Sequence, residues 1–205
     1  MSYSDFTLRK VKQDFDLIIQ EEPTFLHDYN SISPSPFLAA FLENNLPLAL
    51  SINTEKARSE MLICPILLEV KSILNQKISL FSGNDFTVDT TLGLNGVCDF
   101  LLSLSSEQLF IEAPAVVVVE AKREDVNAGL GQCVAEMIAV QKFNQQNNQA
   151  IAIIYGAVTT GDRWKFLQLV ERTVTIGLSE YNIPPVDQIL GILVNFLTRN
   201  QDSCL

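Results

Sequence analysis

Histidine is almost missing from this chain, and the shortage closes off several chemistries. His27 is the only one in 205 residues, and it sits far from any elbow-like motif, so serine and cysteine nucleophile schemes lack their base. The four cysteines, Cys64, Cys98, Cys133 and Cys204, are scattered with no Cys-x-x-Cys pair. With one histidine and no paired thiols, the ligand spacing of a structural zinc site is absent. Three of the cysteines lie in apolar segments, where free thiols act as small core residues; they read as reduced, and the protein as cytoplasmic. Positive charge is short too: 14 Lys and Arg stand against 24 Asp and Glu, a formal net charge of −10. A stand-alone duplex-binding domain normally shows the opposite balance, so any nucleic-acid contact must draw on a local basic patch, metal ions or a second subunit. No apolar run is long enough to span a membrane, and Met1-Ser2-Tyr3-Ser4-Asp5 is not a basic, apolar signal region; a soluble protein is expected.

What the chain has is apolar residues, 47% of the total, enough for most of it to fold around one sizeable core. The densest run is Pro114-Ala115-Val116-Val117-Val118-Val119-Glu120-Ala121-Lys122. Four consecutive valines predict a strand buried on both faces. Side chains alternate along a strand, so Glu120 and Lys122 project the same way from its end. Paired charges there are costly unless a metal, a substrate or a partner compensates them.

Around this strand the chain reads as one domain with a core at about 54–170. Residues 1–50 form a helical, irregular extension punctuated by Pro34, Pro36 and Pro47. From Thr54 a helix places Leu62, Ile63, Ile66, Leu67 and Val70 on one side, and Pro65 should kink or restart it. Short strands are expected at Lys77–Phe81 and Asp85–Val88, then an apolar strand at Val97–Leu102. A buried helix follows the valines from about Ala128 to Asn144. Ile151–Tyr155 and the alternating Trp164–Leu169 should pair as a hairpin, with Trp164 and Phe166 in its core. A C-terminal helix closes the chain at about 187–198. The order helix, three strands, helix, strand, strand predicts an α/β sandwich: a mixed sheet with helices on both faces.

Three acids point inward. Asp99 lies inside a buried strand, where propensity and desolvation disfavour it. Glu120 ends the next strand. Glu60 is followed by Ile63, Cys64 and Leu67 at i+3, i+4 and i+7, which puts it on the helix stripe expected to face the sheet. Carboxylates crowded with Lys122 make a hard-oxygen site suited to Mg²⁺ or Mn²⁺. The bland alternatives are a core ion pair of Asp99 with Lys122, a solvent-facing Glu60, and Gln132 with Glu136 as an ordinary polar helix stripe. Glu69-Val70-Lys71 repeats the acid-x-lysine pattern but falls at a helix end, where charges form a solvated face.

Over residues 54 to 170 these elements resemble the PD-(D/E)XK nuclease superfamily, the restriction-endonuclease-like fold with an αβββαβ core. The resemblance rests on Glu60, Asp99, Glu120-Ala121-Lys122, Gln132 and the hairpin Thr159–Phe166; Cys98 stands where the motif often carries proline. It implies metal binding by Asp99, Glu120 and the Ala121 carbonyl, with Glu60 in a direct or outer role. It implies that Lys122 orients or activates the attacking water and that Gln132 positions the site or substrate. The expected function is Mg²⁺- or Mn²⁺-dependent endonucleolytic hydrolysis of DNA by a homodimer, with Arg123 and Lys165 as phosphate contacts. The alternative is an inactive domain of the same fold serving as a nucleic-acid-binding or assembly subunit. An interaction protein with no nucleic-acid role stays open, because the chain is so acidic. Gly129-Leu130-Gly131 also opens a helix as a nucleotide-binding unit would, but it lacks the third glycine and begins seven residues after Lys122.

Overall fold

A computed structural model describes residues 1–202 except Thr24, His27 and Asp28; the readings of His27 and Cys204 fall outside the described residues. After a 3₁₀ turn at Tyr3–Asp5, Thr7 caps α1 (Leu8–Asp14), and β1 (Ile18–Glu22) follows. That strand lies in the stretch expected to be helical and irregular. It is short and half polar, and it forms because it pairs in parallel with a strand 155 residues later, Ile18 opposite Thr173. Ser35 caps α2 (Pro36–Ile52), with Pro36 in its first turn where no N–H is needed. Thr54 caps α3 (Glu55–Arg58), which passes through a π-helical turn, Ser59–Ile63, into α4 (Cys64–Ile73). The wide turn falls just ahead of Pro65, whose ring cannot sit against the carbonyl four residues back.

The rest is β2 (Ser79–Asp85), β3 (Val97–Ser103), β4 (Ala115–Ala121), α5 (Leu130–Gln146), β5 (Ile153–Thr159), β6 (Arg163–Val170), β7 (Thr173–Gly177), β8 (Tyr181–Asn182) and α6 (Asp187–Asp202). Of the two short strands expected at 77–81 and 85–88 only one forms, β2, and Phe86–Val88 lie beyond its end. The strands form one open mixed sheet in the order β1-β7-β6-β5-β4-β3-β2, with β8 pairing the start of β6. Central β4 is antiparallel to β3 and parallel to β5, and it is buried along its whole length. Fully burying a valine stabilises by about 1.5–3 kcal/mol, so Val116 to Val119 together contribute roughly 6–12 kcal/mol. That margin lets the strand end in a buried carboxyl, which costs several kcal/mol to desolvate.

Helices flank the sheet on both sides. The Tyr3–Asp5 turn, α1 and α5 pack with Val118, Ile154 and Val158 on one face. Helices α2, α4 and α6 pack with Val117, Val119 and Tyr155 on the other. Trp164 and Phe166 are core residues of that second face, and the indole N–H donates to the Gly161 carbonyl at 3.1 Å. Among the described residues no helix is long and apolar enough to cross a membrane, and Cys64, Cys98 and Cys133 are free thiols.

The N-terminal segment seats directly on α5 at Gly131, where a Cβ would lie 2.3 Å from the Phe6 carbonyl oxygen and 2.4 Å from the Thr7 carbonyl carbon. Backbone cannot yield as a flexible side chain can, so Gly131→Ala should destabilise by about 1–3 kcal/mol, the cost of overpacking, measured by denaturant unfolding. Gly83→Ala meets nothing within 4 Å and is strained only by its φ of +68°, worth about 1–2 kcal/mol. A Gly131→Ala protein as stable as wild type would contradict the docking of this segment.

Candidate functional site

The site lies where β3 and β4 stop pairing. The antiparallel register runs through Leu101–Val118 to Phe100–Val119 and goes no further toward the N-terminus of β3. Two residues on, Ala121 still pairs with β5 opposite Thr159, and Lys122 donates its N–H to the Thr159 carbonyl at 2.8 Å. The Ala121 N–H, facing the other way, has lost a backbone partner on β3, and Asp99 Oδ2 accepts it at 2.8 Å. The acid inside the buried strand thus has a local reason: it replaces a missing rung of the ladder. A residue's N–H and C=O point to the same edge of a strand, so the Ala121 carbonyl faces Asp99 as well.

Glu120 and Lys122 project together as their alternation predicts. Lys122 Nζ donates to Glu120 Oε1, and Glu120 is 1% exposed. Gln132, in the first turn of α5, donates Nε2 to Glu120 Oε2 at 2.9 Å and to Glu136 Oε1 at 3.2 Å; its Oε1 accepts from Lys122 Nζ at 3.3 Å. The stem of Lys122 lies against Gly129, where a Cβ would stand 3.1 Å from Lys122 Cγ and 2.6 Å from a Val158 methyl. Gly129 and Gly131 therefore both serve close packing, one under the lysine stem and one under the N-terminal backbone.

Charge at this site is crowded. Burial, then the neighbouring Asp99 carboxylate, pushes Glu120 up to about 8, against the pull of Lys122. Burial raises Asp99 as well, opposed by the Ala121 N–H and the Lys122 ammonium. Close carboxylates cannot both ionise freely, so the pair retains a proton near neutrality. Burial works against the Lys122 charge, but Glu120, Glu55 and Asp99 together hold its ammonium above the ordinary value.

Asp99, Glu120, Lys122 and Gln132 are thus brought together, and the lysine pairs with Glu120 rather than Asp99. Glu60 is not brought in: its side chain is 61% exposed and pairs with Lys56 at 2.8 Å. The π-helical turn resets the helix phase, so the i+3, i+4, i+7 stripe inferred from a regular helix does not hold at that position. The helix acid that acts on Glu120 and Lys122 is Glu55. Placed directly after the Thr54 cap, Glu55 reads in the sequence as an ordinary helix-start acid, which hid it. Arg58, also unforeseen, is buried and donates to the Thr160 carbonyl and Asp162 Oδ1, both at 2.6 Å, and to Asn53 Oδ1 at 3.1 Å. It ties α3, the helix that carries Glu55, to the β5–β6 turn. Glu136 is wholly buried rather than part of a solvated polar stripe.

Arg123 is exposed and pairs with Glu124 at 2.8 Å. Lys165 is mostly buried, donates to Asn127 Oδ1 at 2.9 Å and lies 3.8 Å from Glu180. An apolar groove of about 390 Å³ between α2 and the segment before α6, lined by Leu42, Leu46 and Pro184 among others, shares no residue with this site. Neither a scan against protein-family models nor a search of the curated proteins finds a match to this chain.

The raised Glu120 carboxyl sets a pH dependence. A carboxyl lifted from 4.5 to about 8 binds its proton more tightly in the folded state. Its contribution to stability is therefore full below about pH 4.5 and is lost as pH rises through about 8. In chelator, Glu120→Gln should lack this loss. Each pH unit separating the folded and unfolded values is worth about 1.4 kcal/mol, so the unfolding free energy of the variant relative to wild type should improve by about 1 kcal/mol or more from pH 5 to pH 8.5. Parallel pH profiles for the two proteins would show that Glu120 is not a strained, proton-holding acid.

Proposed function

We propose that the chain is a metal-dependent phosphodiesterase acting on DNA, built on a restriction-endonuclease-like fold. One observation carries the reading: Asp99, Glu120 and Lys122 meet at the parted ends of β3 and β4, with Gln132 joining them from α5. The donor chemistry suits a divalent cation. Asp99, Glu120 and the Ala121 carbonyl are hard oxygens of the kind Mg²⁺ and Mn²⁺ take, with water completing the shell. Glu120 is buried and Asp99 half-buried, and two crowded carboxyls with raised pKa are short of positive charge, which such a cation supplies. Among the described residues no cluster of three or more His, Cys, Asp and Glu side chains offers itself as a metal site, so the set depends on the backbone carbonyl as third donor.

Asp99, Glu120 and the Ala121 carbonyl would hold such a cation, which would supply Lewis-acid polarisation of the phosphate and a more acidic water. Lys122 orients the attacking water and stabilises the charge that develops on the phosphate. Gln132 accepts from the Lys122 ammonium and donates to Glu120, and so orients both. Glu55 adds negative potential at the mouth, favouring the cation over bare phosphate.

A second reading, an inactive domain of this fold used for nucleic-acid binding or assembly, is favoured by the state of the cations nearby. Arg123, Arg163 and Lys165 are each already set against Glu124 or Glu180. Binding duplex DNA requires cations that release counterions from phosphates, and a homodimer would double the few available.

Mn²⁺ separates the two readings. In the active one it should stabilise the wild type by roughly 2.7 kcal/mol at about 100 times its dissociation constant, read as a melting shift, and it should support nicking of plasmid DNA. Asp99→Asn should lose most of the shift and the nicking. Lys122→Ala should keep the shift, because removing a cation favours Mn²⁺, and lose at least about 10²-fold in cleavage. A wild type that Mn²⁺ neither stabilises nor activates would leave Lys122 and Glu120 as a core ion pair.

A further inference from the structure

Glu136 has no part in the chemistry above, yet it stands one helical turn from Gln132 and is fully buried, with no hydrogen-bond partner for its Oε2 among the described residues. Native proteins seldom leave a buried polar oxygen unpartnered without a reason. An apolar residue would pack on this helix at less cost, since the surrounding positions Cys133, Val134, Ala135, Met137 and Val140 are all buried. Burial, then the Glu120 carboxyl, pushes the Glu136 acid well above the ordinary range.

Its hydrogen bond with Gln132 supplies the reason. The Gln132 amide nitrogen has two hydrogens; one goes to Glu120 Oε2 at 2.9 Å and the other to Glu136 Oε1 at 3.2 Å. With both hydrogens taken, the amide oxygen has to turn to Lys122 Nζ, 3.3 Å away. A flipped amide would set its NH₂ against the Lys122 ammonium and give up the hydrogen bonds that its Nε2 donates to Glu120 Oε2 and Glu136 Oε1. Without Glu136, a swung amide would leave only Glu120 to direct it.

We infer that Glu136 is a positioning residue: it locks the Gln132 amide in one orientation, and through it holds Lys122 between Glu120 and Gln132. The role given to Lys122 rests on the phosphodiesterase reading; the lock itself does not.

Glu136→Gln and Glu136→Met test it in the full chain. The glutamine variant keeps a carbonyl oxygen that accepts from Gln132, and methionine matches the unbranched shape but accepts nothing useful. The Gln132 side-chain NH₂ resonances, assigned by their loss in Gln132→Glu, should stay at their wild-type positions in Glu136→Gln and move or broaden in Glu136→Met. Mn²⁺-dependent plasmid cleavage should fall about 10- to 100-fold in Glu136→Met, as for other residues that orient a metal site's inner groups, and stay within a few-fold of wild type in Glu136→Gln. The melting temperature of Glu136→Met should hold or rise, because an unpartnered buried oxygen has gone. Activity falling while stability does not is a split that a purely structural residue would not produce. Unchanged Gln132 resonances in Glu136→Met, or equal loss in both variants, would overturn the inference. If the wild type does not cleave, the phosphodiesterase reading fails by itself, and the Gln132 resonances still decide whether Glu136 is the lock.

Discussion

The hydrogen bond from the Ala121 N–H to Asp99 is the constraint on which the site depends. Where β3 leaves β4, the central strand would present an unpaired donor at the margin of a dry core, and an unmet backbone group there costs about as much as the fold gains from several good contacts. Asp99 fills the gap with a carboxylate. That choice brings a second acid close to Glu120, the carboxyl to which Lys122 and Gln132 both donate. A serine or asparagine would also have met the N–H, but without adding a second acid beside Glu120.

The cost of gathering these groups is met by the surroundings. Four buried valines hold β4 in place, and Gly129 and Gly131 let the lysine stem and the N-terminal backbone approach more closely than any side chain would allow. On the far side, Arg58 clamps α3, the helix bearing Glu55, to the β5–β6 turn. Packing and electrostatics are thus one arrangement: the apolar strand supplies the low dielectric that raises the carboxyls, and the carboxyls supply the field that keeps Lys122 charged.

Much of this was legible in the amino-acid sequence, for reasons tied to particular residues. The valine run, the buried helix α5 and the β5–β6 hairpin announce themselves because burial on both faces leaves continuous apolar stretches. Strict alternation places Glu120 and Lys122 on one side without further information. What was hidden depended on contacts distant along the chain or on broken periodicity. Ile18-Ile19-Gln20-Glu21-Glu22 has too little apolar pattern to mark an edge strand, and only its pairing with Thr173–Gly177 makes it one. The π-helical turn ahead of Pro65 carries Glu60 to solvent and leaves Glu55 as the acid in reach, an outcome that a regular 3.6-residue period cannot reveal. The burial of Glu136 was equally opaque, since a glutamine and a glutamate four apart look like any polar helix face.

The central claim is that Asp99, Glu120 and the Ala121 carbonyl form one cation site. Anomalous diffraction from crystals of the wild type soaked in Mn²⁺ tests it most directly. The account predicts a single strong peak within about 2.0–2.3 Å of an Asp99 oxygen, a Glu120 oxygen and the Ala121 carbonyl oxygen. A peak bound elsewhere, or none at a concentration that saturates known Mn²⁺ sites, would contradict it.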